Sequence, residues 1–200
     1  MKKLLLIATA VLLCIGAVCF ALQMGGETKV ANRIAVFKTN MGTFEIDLAE
    51  DKAPETTKNF IDLAEKGFYD GLIFHRVIYG FMIQGGCPDG TGMGGPGYSI
   101  KGEFAQNGFA NDLKHTAGVL SMARAMHPDS AGSQFFIMHK NAPHLDGSYA
   151  AFGKVIEGME VVNRIAEEET DYSDRPLDEQ QIHSMTVETF GVEYPEPEKC

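Results

Sequence analysis

The sequence predicts a mainly β domain, a closed or strongly twisted antiparallel barrel with helices covering its open ends. Three observations carry that expectation. Short runs of alternating apolar and polar residues recur from Arg33 onward. Only two stretches place apolar residues at helical spacing. Turns containing glycine separate most of these segments, and the chain holds 22 glycines. Many short strands with few helices bury their apolar faces best as a barrel or sandwich. No internal repeat is present.

The elements follow in order. Ile34, Val36 and Lys38 alternate with Ala35, Phe37 and Thr39, and Phe44, Ile46 and Leu48 alternate with Thr43, Glu45 and Asp47. Asn40-Met41-Gly42 between them makes a hairpin turn. Pro54 opens a helix carrying the stripe Phe60, Ile61, Leu63 and Ala64, with Gly67 suited to the position after its end. Strands are expected over residues 72–77 and 81–84. Residues 85–97 are glycine-rich. Gly90, Gly92 and Gly95 have the spacing of a dinucleotide loop, but Pro96-Gly97 blocks the helix such a loop must open, so an irregular loop is expected. Strands follow over 119–123, 134–138 and 150–156. Val161, Val162 and Ile165 mark the second helix, and a last strand is expected over 184–190.

Composition narrows the function. A 200-residue chain fits one domain with a short extension. The net charge of −10 offers no basic patch for nucleic acid. The six histidines are scattered, with no metal-binding spacing, and no cofactor is expected. Lys2-Lys3 before an apolar run from Leu4 to Leu22 reads as a signal peptide or an uncleaved signal anchor over residues 1–22. Lipidation at Cys19 is a further option. Each places the domain outside the cytoplasm, in the periplasm or cell envelope, secreted or anchored at its N-terminus. Residues 23–31 read as a linker, 32–192 as the domain and 193–200 as a loose polar tail. Outside the leader only Cys87 and Cys200 remain, and no disulfide between them is expected.

One arginine stands out. Arg76 lies in the apolar run Phe74-His75-Arg76-Val77-Ile78, followed by Phe81-Met82-Ile83-Gln84-Gly85-Gly86. In an extended strand Phe74, Arg76 and Ile78 share one face. The arginine either snorkels to water from an edge strand or serves as a donor inside an apolar groove. Gly132-Ser133-Gln134 lacks the G-x-S-x-G elbow of a serine hydrolase.

Those two blocks, with Gly90-Thr91-Gly92, Leu120-Ser121-Met122-Ala123 and Gly132-Ser133-Gln134-Phe135-Phe136-Ile137 in the same order, resemble the cyclophilin family of peptidyl-prolyl cis-trans isomerases, in a bacterial-like secreted or envelope form. The resemblance runs from Asn32 to Val192. It implies an eight-stranded closed antiparallel barrel capped by two α-helices, with a groove on its outer face. It implies that Arg76 and Gln84 are catalytic. Phe81, Met82, Phe136 and Leu145 would hold the proline, and Gln134 would line the groove beside His75. The backbone near Ala123 and Arg124 would pair with the extended substrate. His144 stands where animal members carry tryptophan, and Tyr149 where many carry histidine. Both would border the proline pocket, and weak cyclosporin binding is implied. Cys87 stands where aspartate is usual, with only a local loop effect expected. The implied partners are proline-containing polypeptide clients, without nucleic acid or metal, and with a membrane only through the N-terminal segment. A non-catalytic proline-binding or chaperone module using the same groove is the alternative.

Overall fold

Period-two alternation makes the first hairpin. Strand β1 (Arg33–Thr39) turns its Ala35 and Phe37 inward, and β2 (Gly42–Leu48) does the same with Phe44, Ile46 and Leu48. Phe37 and Phe44 lie opposite each other and stack at 4.7 Å between ring centroids. Gly42 closes the turn at φ +130°, a conformation that favours glycine. The computed structural model describes residues 33–200, so the expected signal segment, its cysteines and the linker lie outside the described residues.

Helix α1 (Pro54–Glu65) begins on its proline, and Gly67 follows its end at φ +67°, as expected. The remaining strands and α-helix are β3 (Arg76–Ile78), β4 (Met82–Gly85), β5 (Val119–Met122), β6 (Phe135–Met138), β7 (Ala151–Glu157), α2 (Met159–Ala166) and β8 (Ile182–Glu188), with short 3-10 turns at Ala105–Asn107 and Pro143–Leu145. The eight strands form one antiparallel sheet in the order β3-β4-β6-β5-β7-β2-β1-β8. Phe60 of α1 inserts against Phe135, Phe152 and Tyr69 at 5.1–5.7 Å. Val161, Val162 and Ile165 of α2 join the same core.

Several expectations are corrected. The closed barrel is an open half-barrel, because β3 and β8 are the two edges of the ladder. Beside them the Ile73–Gln181 bridge joins the segment before β3 to the start of β8, with backbone hydrogen bonds between Gly71 and Ile182, Ile182 and Leu72, and Phe74 and Gln180. The three residues of β3 are too few to run along β8. Its Val77 amide donates instead to the Asp174 carbonyl at 2.7 Å. Strand alternation therefore starts only at Arg76. Phe74 is buried in the interior with Val77, on the face opposite the exposed Arg76. The last strand lies two residues earlier than expected, set by its pairing along β1 from Ile34–Glu188 to Thr39–Ile182. The polar tail is also held. Tyr194 packs on the core, and the Cys200 amide donates to the Ser99 carbonyl at 2.8 Å.

Candidate functional site

The site follows from register. Arg76 lies opposite Gln84, Gln84 opposite Phe136, and Phe136 opposite Ser121. One rung thus carries four side chains across β3, β4, β6 and β5. The neighbouring rung Val77, Ile83, Ile137 and Leu120 points into the core. Phe136, Met82 and Met138 instead form a second apolar cluster on the other face, with Val119, Ala142 and Ala151. The sheet is therefore apolar on both faces here, and the outer face holds a hollow.

That hollow has a volume of about 210 Å³. Phe81, Met82, Phe136 and Leu145 supply its apolar lining, and Arg76 and Gln84 its polar edge. Ala123, Arg124 and Tyr149 complete it. A second hollow of about 430 Å³ shares Gln84, Ala123 and Arg124 with the first. Its far wall is the glycine-rich loop, including Gly92, Gly94 and Pro96.

Nine of the twelve expected site residues line the first hollow. Gln134 belongs to the second. His144 is exposed and stacks on Phe81 at 5.8 Å. His75 lines neither hollow. It is buried beneath the glycine-rich loop, where a Cβ on Gly92 would lie 3.3 Å from its Nε2. Neither of its ring nitrogens has a hydrogen-bond partner among the described residues. Arg76, expected inside an apolar groove, stands at the rim with 45% of its side chain exposed. Water is excluded from it only when a ligand fills the hollow.

Two amides are oriented by their neighbours. Gln134 Nε2 donates to the carbonyls of Gly92 (2.9 Å) and Gly94 (2.8 Å), which fixes its Oε1 as an acceptor. Gln84 must then present its Nε2 to that oxygen, at 3.0 Å. Its own Oε1 and a second N–H remain for a ligand. The glycine-rich loop can close on Gln134 because Gly86 approaches β6 closely. A Cβ on Gly86 would lie 2.4 Å from the Ser133 carbonyl, and φ there is +82°. Cys87 knits the same loop. Its thiol donates to Asp89 Oδ1 at 2.8 Å, and its sulfur accepts from the Gly92 and Gly94 amides. The thiol, with the Thr91 hydroxyl and amide, lowers the Asp89 carboxyl to about 2.

Three functional features escape a reading of the sequence. The resemblance implies a role for Arg124 through its backbone alone. Its guanidinium lies between the rings of Tyr149 (4.7 Å) and Phe104 (5.0 Å) and donates to the Ser148 carbonyl. The amide of Ala123 donates to the Gln134 carbonyl at 2.9 Å, so that N–H is already used within the fold. The second feature is His115, which stacks on Phe136 at 6.0 Å and meets the edge of Tyr149. Its Nδ1 donates to Asp146 (3.2 Å), so its Nε2 accepts from the Ser121 hydroxyl (3.0 Å). Ser121 is fully buried, so this array orients the floor of the hollow and offers no nucleophile to a substrate. The third is Asp174, which accepts from Arg76 Nε at 3.2 Å.

Burial pushes both His75 and His115 below the ordinary imidazole range. Arg175 and Arg76 add to the effect at His75, while Asp146 opposes it at His115. Below about pH 6.5 the unfolded chain then binds protons that the folded chain does not. Stability is expected to fall as the pH drops through that range. Urea unfolding midpoints at about pH 7.5 and pH 5 check this, and equal midpoints would contradict it.

The family model described as "Cyclophilin type peptidyl-prolyl cis-trans isomerase/CLD" matches residues 34–187. The chain is 47% identical over 158 residues to the peptidyl-prolyl cis-trans isomerase-like 1 of Emericella nidulans, covering 78% of this chain and 96% of that protein. It is 50% identical over 133 residues to a peptidyl-prolyl cis-trans isomerase of Synechococcus elongatus, covering 66% and 87%. A Cryptosporidium parvum cyclophilin-type isomerase, crystallised in the presence of the dipeptide Ala-Pro, superposes with a TM-score of 0.72 at 38% identity. That match covers 78% of this chain and 99% of the other.

Proposed function

Because the chain belongs to the cyclophilin-type peptidyl-prolyl cis-trans isomerase family, we propose that it accelerates X–Pro rotation through Arg76, acting on proteins that fold outside the cytoplasm. The observation that carries the mechanism is the position of Arg76. It faces Gln84 at the edge of an apolar hollow floored by Phe136 and Met82.

The chemistry needs no broken bond. Amide resonance sets a barrier of about 18–20 kcal/mol to rotation. In the twisted transition state the prolyl nitrogen regains its lone pair. A donor aimed at that nitrogen binds the transition state more tightly than the planar ground state, which lowers the barrier. Arg76 is permanently charged and forked. The proline ring fills the hollow against Phe81, Met82, Phe136 and Leu145, and covers the guanidinium as it enters. The second N–H of Gln84 meets the carbonyl that moves. The exposed backbone near Ala123 and Arg124 pairs with the extended chain. His144 offers less apolar surface than an indole, which supports weak cyclosporin binding. Clients are proline-containing segments recognised mainly by ring and backbone.

The apolar run after Lys2-Lys3 supports an extracytoplasmic site of action, in a bacterial-like secreted or envelope form. The intact mass of the protein recovered from cells separates cleaved, lipidated and anchored chains. A full-length, unlipidated chain in the soluble fraction would overturn the extracytoplasmic reading.

Peptide isomerisation tests the reaction itself. No side chain exchanges a proton, so turnover is expected to be nearly flat from about pH 6 to pH 9. Tight peptide binding without turnover would instead mark a holding module. A steep bell near neutrality would move the chemistry to a histidine.

A further inference from the structure

Arg76 is anchored from outside the groove. Its side chain leaves β3, the edge strand, so no further strand supports it on one side. A loop takes that place. Residues 170–176 fold back on themselves through the Thr170–Pro176 bridge. Asp171 braces the loop, its Oδ1 accepting from the amides of Ser173 (2.7 Å) and Arg175 (3.0 Å). The result is to hold Asp174 at φ +64°, a left-handed conformation that among the described residues only one other non-glycine residue adopts. Aspartate tolerates that region better than most side chains.

Asp174 grips β3 twice. Its carbonyl accepts from the Val77 amide at 2.7 Å, and its Oδ2 accepts from Arg76 Nε at 3.2 Å. The contact to Nε matters. A guanidinium has five N–H donors, and the four on Nη1 and Nη2 point away from the stem. Gripping Nε fixes the plane of the fork and leaves its tips for a ligand. The loop is tied in turn to the glycine-rich segment, because Arg175 Nη1 donates to the Gly90 carbonyl at 2.9 Å.

We propose that Asp174 is a positioning residue for the isomerase reaction, holding the Arg76 guanidinium in its productive orientation before substrate arrives. This rests on Arg76 being the catalytic donor. Long arginine side chains sample many rotamers, and a donor that is already oriented loses less freedom in the transition state. The carboxylate also draws on the same positive charge that the prolyl nitrogen meets. Orientation dominates, because an ion pair with both partners about half exposed is strongly screened by water.

The test compares Asp174→Gly, which accepts the left-handed backbone, with Asp174→Asn, which keeps an acceptor on the same stem. Turnover of an X–Pro peptide is measured alongside peptide affinity. For Asp174→Gly, kcat is expected to fall about fivefold, the upper range for a half-exposed pair, with Kd unchanged. Asp174→Asn recovers part of the loss. Wild-type kcat declines toward that of the glycine variant between about 10 mM and 0.5 M salt, and the variant responds less. In an Arg76→Ala background Asp174→Gly has no further effect, which shows that it acts through the arginine.

Unchanged kcat in a folded Asp174→Gly variant would overturn the proposal, as would an equal loss in the Arg76→Ala background. Either result leaves Arg76 as the donor. Near-normal turnover by Arg76→Ala alone would remove the donor assignment itself, and with it the role of Asp174.

Discussion

Arg76→Ala is expected to lower kcat/KM for an X–Pro peptide by about 10²–10³, the usual effect of removing one preorganised transition-state donor. The loss falls on kcat, since the apolar hollow that holds the proline ring is untouched. Folding is little affected, because nearly half of the side chain lies in solvent and its ion pair with Asp174 is to an equally exposed carboxylate. Arg76→Lys restores only part of the rate. An ammonium is a point charge on a flexible stem, and its contact to Asp174 would compete with the contact to the prolyl nitrogen. Exchange between the cis and trans forms of a peptide, followed at equilibrium, measures this directly. A rate within a few-fold of wild type would remove Arg76 from the mechanism.

Two adjacent phenylalanines are expected to fail in different ways. Phe135 is fully buried among Phe37, Phe60, Tyr69 and Phe74, with ring centroids 5.6–6.3 Å away. Phe135→Ala should destabilise the fold by about 3–5 kcal/mol, because that packed interior cannot collapse around the cavity. Phe136 faces the other side of the same strand and floors the hollow. Phe136→Ala should destabilise less, since the gap opens onto a site water can enter, and should weaken peptide binding about tenfold, or ~1.4 kcal/mol. Denaturant unfolding and peptide titration on both variants separate the two. Equal losses in both measurements would mean that the two faces are not independent.

Much of this arrangement was legible in the sequence, for identifiable reasons. The first hairpin and both helices announce themselves through local periodicity and through Pro54, Gly42 and Gly67. The outer-face residues came from motif resemblance, since alternation alone cannot say which of Phe135 and Phe136 faces inward. What was not legible depends on partners far along the chain. Arg76 Nε donates to Asp174, 98 positions along the chain, a separation at which no local pattern signals the pair. His115 gave no signal, because its role depends on Asp146 and Ser121 converging on it from a turn and a strand. Alternation puts Phe74 on the face of Arg76, but the ladder begins two residues after it and Phe74 turns inward. The glycine-rich loop is irregular, as Pro96-Gly97 implies. That its carbonyls set the orientation of Gln134, and through it Gln84, requires the folded contact.

The pairing of β1 has a mechanical consequence. This first described strand lies between β2 and β8, antiparallel to both, with residue pairs along nearly its whole length on each side. Arg33 at its start is clasped by the Tyr194 hydroxyl, which in turn donates to Glu50. Tension arriving through the residues before Arg33 and directed along β1 would load two hydrogen-bond ladders in shear, all rungs at once, and would not peel them one at a time. Two strands, β7 and β2, separate β1 from the groove strands β3, β4, β6 and β5, so a load along β1 is met first by its own neighbours β2 and β8.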